Sequence, residues 1–240
     1  SSRKRRNKMI LEVCANSYES AINAEKGGAH RIELCENLSV GGLTPNFDLA
    51  KKVISELNIP VFILIRPRKG DFNYSHEEFE QIKKDIILFK KIGCKGIVSG
   101  ILTKDKNLDI NRTKELIKLS RPLEFTFHRA FDEVINPIET LHQLIKLKVN
   151  RLLTSGQMKT AIKGIDMIKK LIILSEDKIK IMPGSGINPG NISEFTKLSL
   201  NEIHGSFSKQ EKNNKSTSNI NMILNCLKLI QEDKKLVKRL

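Results

Sequence analysis

Short β-type runs recur along this chain, and each is followed by a stretch with helical spacing. The runs are Met9–Cys14, Arg31–Cys35, Val61–Arg66, Gly96–Ser99, Glu124–His128, Arg151–Thr154, Lys178–Met182 and Glu202–Gly205. Between them, Phe47–Leu57, Glu77–Ile92, Asp109–Leu119, Pro137–Leu147, Thr160–Leu174 and Asn191–Leu198 carry apolar residues at helical intervals. Ser75 stands three residues before Glu78, a capping-box signal for a helix start. Strand–helix alternation of this kind builds a parallel sheet. Eight such units in roughly 200 residues fit a closed barrel. The rival, a doubly wound open sheet, needs two edge strands, and no run here is polar or blunted by proline. The fold class expected is therefore α/β, a (β/α)8 TIM-barrel-like parallel barrel with a C-terminal amphipathic helix.

The barrel is expected over residues 9–206. Residues 1–8 are a basic extension, expected to be disordered. Residues 207–240 read as a polar linker, Lys209–Ser216, and then a helix. In that helix Ile220, Ile223, Leu224, Leu227 and Ile230 form one apolar stripe, suited to packing on the barrel or on a second copy in a homo-oligomer.

A chain of 240 residues with 39% hydrophobic and 29% charged residues can build a full core without staples. No apolar run reaches the ~18 residues of a membrane span. The basic start lacks a signal-peptide core behind it. Four cysteines without close pairing do not form a secreted disulfide framework. The expected setting is cytoplasmic, with reduced thiols. A net charge of +15 raises the question of nucleic acid. The lysines, however, are scattered, and with two Tyr and no Trp the chain lacks a stacking platform, so no nucleic-acid partner is expected.

Within the alternation one phrase is written twice. Leu11-Glu12-Val13-Cys14 is echoed by Ile32-Glu33-Leu34-Cys35, 21 residues on. Residues i and i+2 share a strand face, so each strand sets an acid beside a thiol, backed by a purely apolar face. Neighbouring parallel strands would bring two thiols and two carboxylates together. In such barrels the site lies at the C-terminal strand ends. There stand Arg66 and Arg68 after the third run, His128 and Arg129 after the fifth, Ser155 after the sixth, Gly184-Ser185-Gly186 after the seventh, and His204 in the eighth.

Two readings of these groups stay open. A structural one has Glu12 and Glu33 paired with Arg31, Arg66, Arg68 or Arg129 as a cap on the barrel. A functional one has the same groups hold a ligand. As an enzyme, the chain would use Glu33 or His128 as general acid or base, with Glu12 orienting. Arg66, Arg68, Arg129, Ser155, the Gly184–Gly186 turn and His204 would take a small anionic or phosphorylated substrate. The glycine turn is not a dinucleotide fingerprint, because its third glycine falls at Gly190.

Taken in order, these phrases resemble the CutC family of copper homeostasis proteins. The matching pieces are Leu11–Cys14, Gly27–Cys35, Gly41–Pro45, Ile65–Arg68 with Gly70–Phe72, Thr126–Asp132, Leu153–Gly156, Met182–Ile187 and Glu202–His204. The resemblance runs from Met9 to about Ser206. It implies a TIM barrel, a cytosolic protein and a role in copper handling, with copper bound by cysteines at the positions of Cys14 and Cys35. Soft Cu(I) prefers thiolates, which agrees with that ligand type. Cys94 and Cys226 fall elsewhere.

Overall fold

The computed structural model describes residues 9–210 and 215–237. The basic segment 1–8 lies outside the described residues. Eight strands form one parallel sheet: β1 (Ile10–Ala15), β2 (Arg31–Leu34), β3 (Val61–Leu64), β4 (Gly96–Ser99), β5 (Glu124–Phe127), β6 (Arg151–Thr154), β7 (Lys180–Pro183) and β8 (Glu202–Gly205). Around them run α1 (Tyr18–Lys26), α2 (Phe47–Glu56), α3 (His76–Lys91), α4 (Ile110–Ser120), α5 (Pro137–Lys146), α6 (Ile165–Ser175) and α7 (Ile192–Thr196). The spatial order is β7-β6-β5-β4-β3-β2-β1-β8, so the sheet curls into a TIM barrel that lacks a backbone ladder only between β7 and β8 among the described residues. Side chains bridge that seam, where Lys180 Nζ lies 3.3 Å from Glu202 Oε1.

The helices α1 to α4 begin where a side chain can satisfy free N–H groups. Ser75 and Glu78 form the capping box at α3, and Asn46 and Asp109 cap α2 and α4 through their side chains. Two helices start later than the apolar spacing suggests. The helix expected from Thr160 begins at Ile165, because Gly164 is pressed onto the preceding strand-end loop. A Cβ on Gly164 would lie 1.9 Å from the Ser155 carbonyl oxygen, so only glycine permits that crossing. The helix expected over Asn191–Leu198 is the short α7, and before it Asn188 Oδ1 accepts from Gly190 N in a turn of its own.

The segment read as a linker is also more ordered than its composition suggests. Ser208–Gln210 (β9) and Ser216–Ser218 (β10) pair antiparallel. The hairpin is tied to α1 and the loop before it: Asn16 Nδ2 donates to Ser216 O, Asn23 Nδ2 to Ser218 O, and Ser218 N to Ser20 Oγ, all at 3.0 Å. Behind it α8 (Ile220–Val237) buries Ile223, Cys226 and Ile230 against α1 and α7. Part of the expected stripe, Ile223 and Ile230, is thus used on the barrel, while Leu224 is 48% exposed. Among the described residues, no helix is long and apolar enough to cross a membrane.

Alternation along each strand separates two cores. Leu11, Val13, Ile32, Leu34, Ile63 and Ile97 face the helices and join the large outer core. The interior holds a much smaller apolar group: Cys14, Cys35, Phe62, Leu64 and Val98. Below it the barrel floor is ionic. Arg31 Nε donates to Glu12 Oε2 at 2.5 Å and its Nη2 to Glu202 Oε2 at 2.6 Å. Arg151, also buried, donates through Nε to Glu202 and through Nη2 to Glu124 Oε2 at 2.8 Å. Both guanidinium groups flank the Phe62 ring, at 4.7 and 5.3 Å from its centre. Gly96 makes room for that ring, since a Cβ there would lie 2.6 Å from it.

Burial pushes the Glu202 carboxyl up, but hydrogen bonds and charge from Arg151, together with Arg31, bring it down to about 2. Its contribution to stability is therefore present above the ordinary value of 4.5 and is lost as pH falls toward 2. Glu202→Gln leaves two buried arginines short of a counter-ion and is expected to cost about 3–5 kcal/mol in urea unfolding at pH 7. The same variant is expected to lose less stability than the parent between pH 5 and about pH 2.5. An equal acid slope in both proteins would show that Glu202 is not the group that titrates.

Candidate metal centre and barrel mouth

The twin phrase ends at one point. Parallel pairing of β1 with β2 sets Cys14 opposite Glu33. Cys14 Sγ lies 3.5 Å from Cys35 Sγ and 3.8 Å from Glu33 Oε1. From β8, paired to the other edge of β1, His204 reaches the same place, its Nδ1 2.7 Å from Glu12 Oε1. One ligand atom each from Cys14, Glu33 and His204 lies within 4.8 Å of the others, and all three residues are buried. Backbone approach helps to close the site. Gly42, at φ +89°, passes so near that a Cβ would meet Leu64 at 2.8 Å and the Cys35 side chain at 3.4 Å.

The two carboxylates of the repeated phrase have opposite environments. Burial raises Glu12, but Arg31 and then His204 hold its carboxyl well below the usual range. Among the described residues Glu33 has no arginine bonded to it, unlike the structural reading in which both acids pair with arginines. Burial pushes it up to about 7, with His204 pulling the other way, and its Oε2 has no hydrogen-bond partner. His204 is disfavoured as a cation by burial, yet its bonds to Cys14 and Glu12 and the charge of Glu33 raise it well above the usual imidazole value. The Cys14 thiol is raised by its hydrogen bond to Cys35 and by burial, which keeps it protonated until something displaces the proton.

Above this cluster opens a cavity of about 550 Å³, lined by Cys14, Glu33, Arg66, His128, Arg129, His204, the Ser185–Gly186 turn and an apolar rim that includes Leu38, Val40 and Met158. His128 sits after β5, its ring 5.0 Å from Phe72, and its Nδ1 accepts from Ala130 N. Burial, then the nearby Arg66 charge, lowers its pKa to about 3, so the ring is neutral. Arg129 Nε donates to Asp132 Oδ2 at 2.8 Å and its Nη2 to Ser155 Oγ at 3.1 Å.

Other expected residues lie off the cavity wall. Arg68 is turned outward onto Glu78 at 2.5 Å and Asp71 at 3.0 Å. Glu12 lies beneath His204, and Cys35 lies behind Cys14. Ser155 is held under Asp132, and Gly184 packs against Leu153 and His204. Two residues carry more of the site than the sequence disclosed. Asp132 accepts from Thr154 Oγ1, Ser155 N and Oγ, Gln157 N and Arg129, which fixes the loop after β6 to the loop after β5. Its place in His-Arg-Ala-Phe-Asp, a polar end to an aromatic strand, was the available signal. Arg151 begins a strand and is among the largest fully buried side chains. Nothing in its local sequence marks it.

Comparison with known proteins places the chain in a family. The family model described as "CutC family" matches residues 9–209. A copper homeostasis protein cutC homolog from Homo sapiens is 47% identical over 189 residues, 79% of this chain and 69% of its own length. A family protein CutC from Parabacteroides distasonis is 39% identical over 241 residues, 96% of this chain and 98% of its own. The crystal structure of a CutC protein from Streptococcus agalactiae superposes with a TM-score of 0.78 at 30% identity, covering 82% of this chain and 98% of that one. With the model spanning the whole barrel and the strand-end phrases falling at one mouth, the chain belongs to the CutC family of copper homeostasis proteins.

Proposed function

We propose that this protein binds cuprous copper as cargo, held by the thiolates of Cys14 and Cys35, with His204 as the nearest further donor. The observation that carries this is the 3.5 Å separation of the two sulfurs at the end of two neighbouring strands. Metal–thiolate bonds of roughly 2.3 Å let sulfurs at that spacing share one ion. Thiolate and imidazole are the donors a soft cation selects, while Glu33 is a hard oxygen donor and is left out of the set. Glu12 completes a carboxylate–imidazole pair. By accepting at Nδ1 it leaves Nε2 of His204 for the cluster and fixes the ring's orientation.

The four cysteines are free thiols, which suits a reducing, cytoplasmic setting. Copper handling is also what the names of the human and mouse relatives describe. This protein is inferred to do the same within the cytoplasm.

Titration of the reduced protein with Cu(I) against a competing chelator tests the reading. The Cys14→Ser, Cys35→Ser double variant is expected to lose competition altogether, because serine offers only a hard hydroxyl. Retention of parental affinity by a folded double variant would sink the proposal. His204→Gln is expected to weaken binding by roughly 10–100-fold, the range for removing a group that supports or completes a metal shell. No change in that variant would remove His204 from the site.

A further inference from the structure

A copper ion on Cys14 and Cys35 leaves most of the mouth unexplained. The cavity of about 550 Å³ lies in the range of small-molecule sites, which run roughly 300–1,000 Å³. On its wall Arg66 is a buried cation without an anion. Its guanidinium donates only to neutral carbonyls: Nη1 to Val40 O at 2.9 Å and Gly42 O at 3.2 Å, and Nη2 to Gly70 O at 3.0 Å. Arg31, Arg68, Arg129 and Arg151 each have a carboxylate partner. Among the described residues Arg66 has none. It is only 7% exposed, and its Nε finds no hydrogen-bond partner. An ionised group buried without a counter-charge is costly, and proteins keep such groups where something else supplies that charge.

A second unfilled donor stands beside it. Phe72 packs against both Arg66 and His128. His128 Nδ1 is occupied as an acceptor from Ala130 N, so the ring proton of the neutral imidazole sits on Nε2. That Nε2 is buried and unpartnered. Arg129 adds a third group to the wall, with Nε and Nη2 already fixed by Asp132 and Ser155, so its planar fork is held in place before any ligand arrives.

We propose that the barrel mouth binds a small organic anion, its oxyanion group received by Arg66, His128 and Arg129 and its body filling the cavity beside Cys14. The recognised chemistry is a carboxylate or phosphate oxyanion. Arginine forks suit both, and the neutral imidazole adds a directional donor without further charge. This site is separate from the copper donors in residues, and it stands or falls independently of them.

The test uses the copper-free protein, with inorganic phosphate in one arm and malonate in another, each against sodium chloride at matched ionic strength. One anion or both are expected to raise Tm saturably, by roughly 5–10 °C at about 100 times Kd. The arm that responds assigns phosphate or carboxylate. Arg66→Met is expected to abolish the shift, and Arg129→Met to weaken the apparent affinity by about tenfold or more. Lys114→Met, on the outer face of α4, is expected to keep it. The Cys14→Ser, Cys35→Ser double variant is also expected to keep it, which separates failure of this site from failure of the copper site. If Arg66→Met does not fold, Arg129→Met decides, since its side chain is 42% exposed. The proposal is overturned if neither anion exceeds the chloride control, or if Arg129→Met responds at the parental concentration.

Discussion

The ionic floor of the barrel, Glu12–Arg31–Glu202–Arg151 around the Phe62 ring, is the constraint on which the rest of the structure depends. It joins β1, β2, β3, β6 and β8, and so spans most of the circumference. A buried ion pair is weak evidence for stability in itself, because desolvation offsets much of the attraction. Its value here is geometric. Parallel strands whose outer faces are mostly aliphatic, as in β1, β2 and β3, are weakly held against a two-residue slip by those contacts alone. The floor forbids that slip, because a two-residue shift of β2 would take Arg31 away from both Glu12 and Glu202.

The same floor sets the chemistry above it. Glu12 has two oxygens and two tasks: Oε2 binds Arg31 below, and Oε1 binds His204 above. Arg31 keeps Glu12 ionised, and ionised Glu12 orients His204 against Cys14. The order at the candidate metal centre is therefore inherited from the floor. Glu33, one strand over, has no arginine bonded to it among the described residues, and burial pushes it up to about 7 instead. Two copies of one sequence phrase thus give a fixed anion and a proton-labile carboxyl. The difference comes entirely from what faces them, which is how barrels assign distinct roles to identical side chains.

The sequence disclosed the barrel because alternation is a local property. Gly96–Ser99, Arg151–Thr154 and Glu202–Gly205 match the structure residue for residue, and the other strands differ by one or two at their ends. Glu-x-Cys written twice located the thiol pair, since the strand period alone fixes which side chains share a face. What stayed hidden was pairing at a distance. Arg151 has no acidic neighbour in sequence, and its partner Glu202 lies 51 residues away. Arg68 looks like an equal of Arg66, two residues apart on one loop. One is turned out to Glu78, the other is locked inward by three carbonyls. The C-terminal hairpin was missed for a related reason. Ser, Asn and Lys compose a linker by propensity, but Asn16 and Asn23 capture its backbone carbonyls.

The two arginines near the interior also show why the mouth is not simply the upper half of the cap. At the floor every guanidinium is balanced by carboxylate, so that layer is complete. At the mouth the balance is deliberately local and unequal. Asp132 neutralises Arg129 while using its remaining lone pairs to hold the next loop, whereas Arg66 is steadied by carbonyl dipoles and the Phe72 ring. A layer whose purpose was to close the barrel would gain by placing a carboxylate beside Arg66, and Glu33 is available on the same cavity wall. Glu33 instead faces the sulfur of Cys14. The mouth leaves a buried cation without a carboxylate partner among the described residues, an arrangement that costs stability and that the proposed anion would offset on binding.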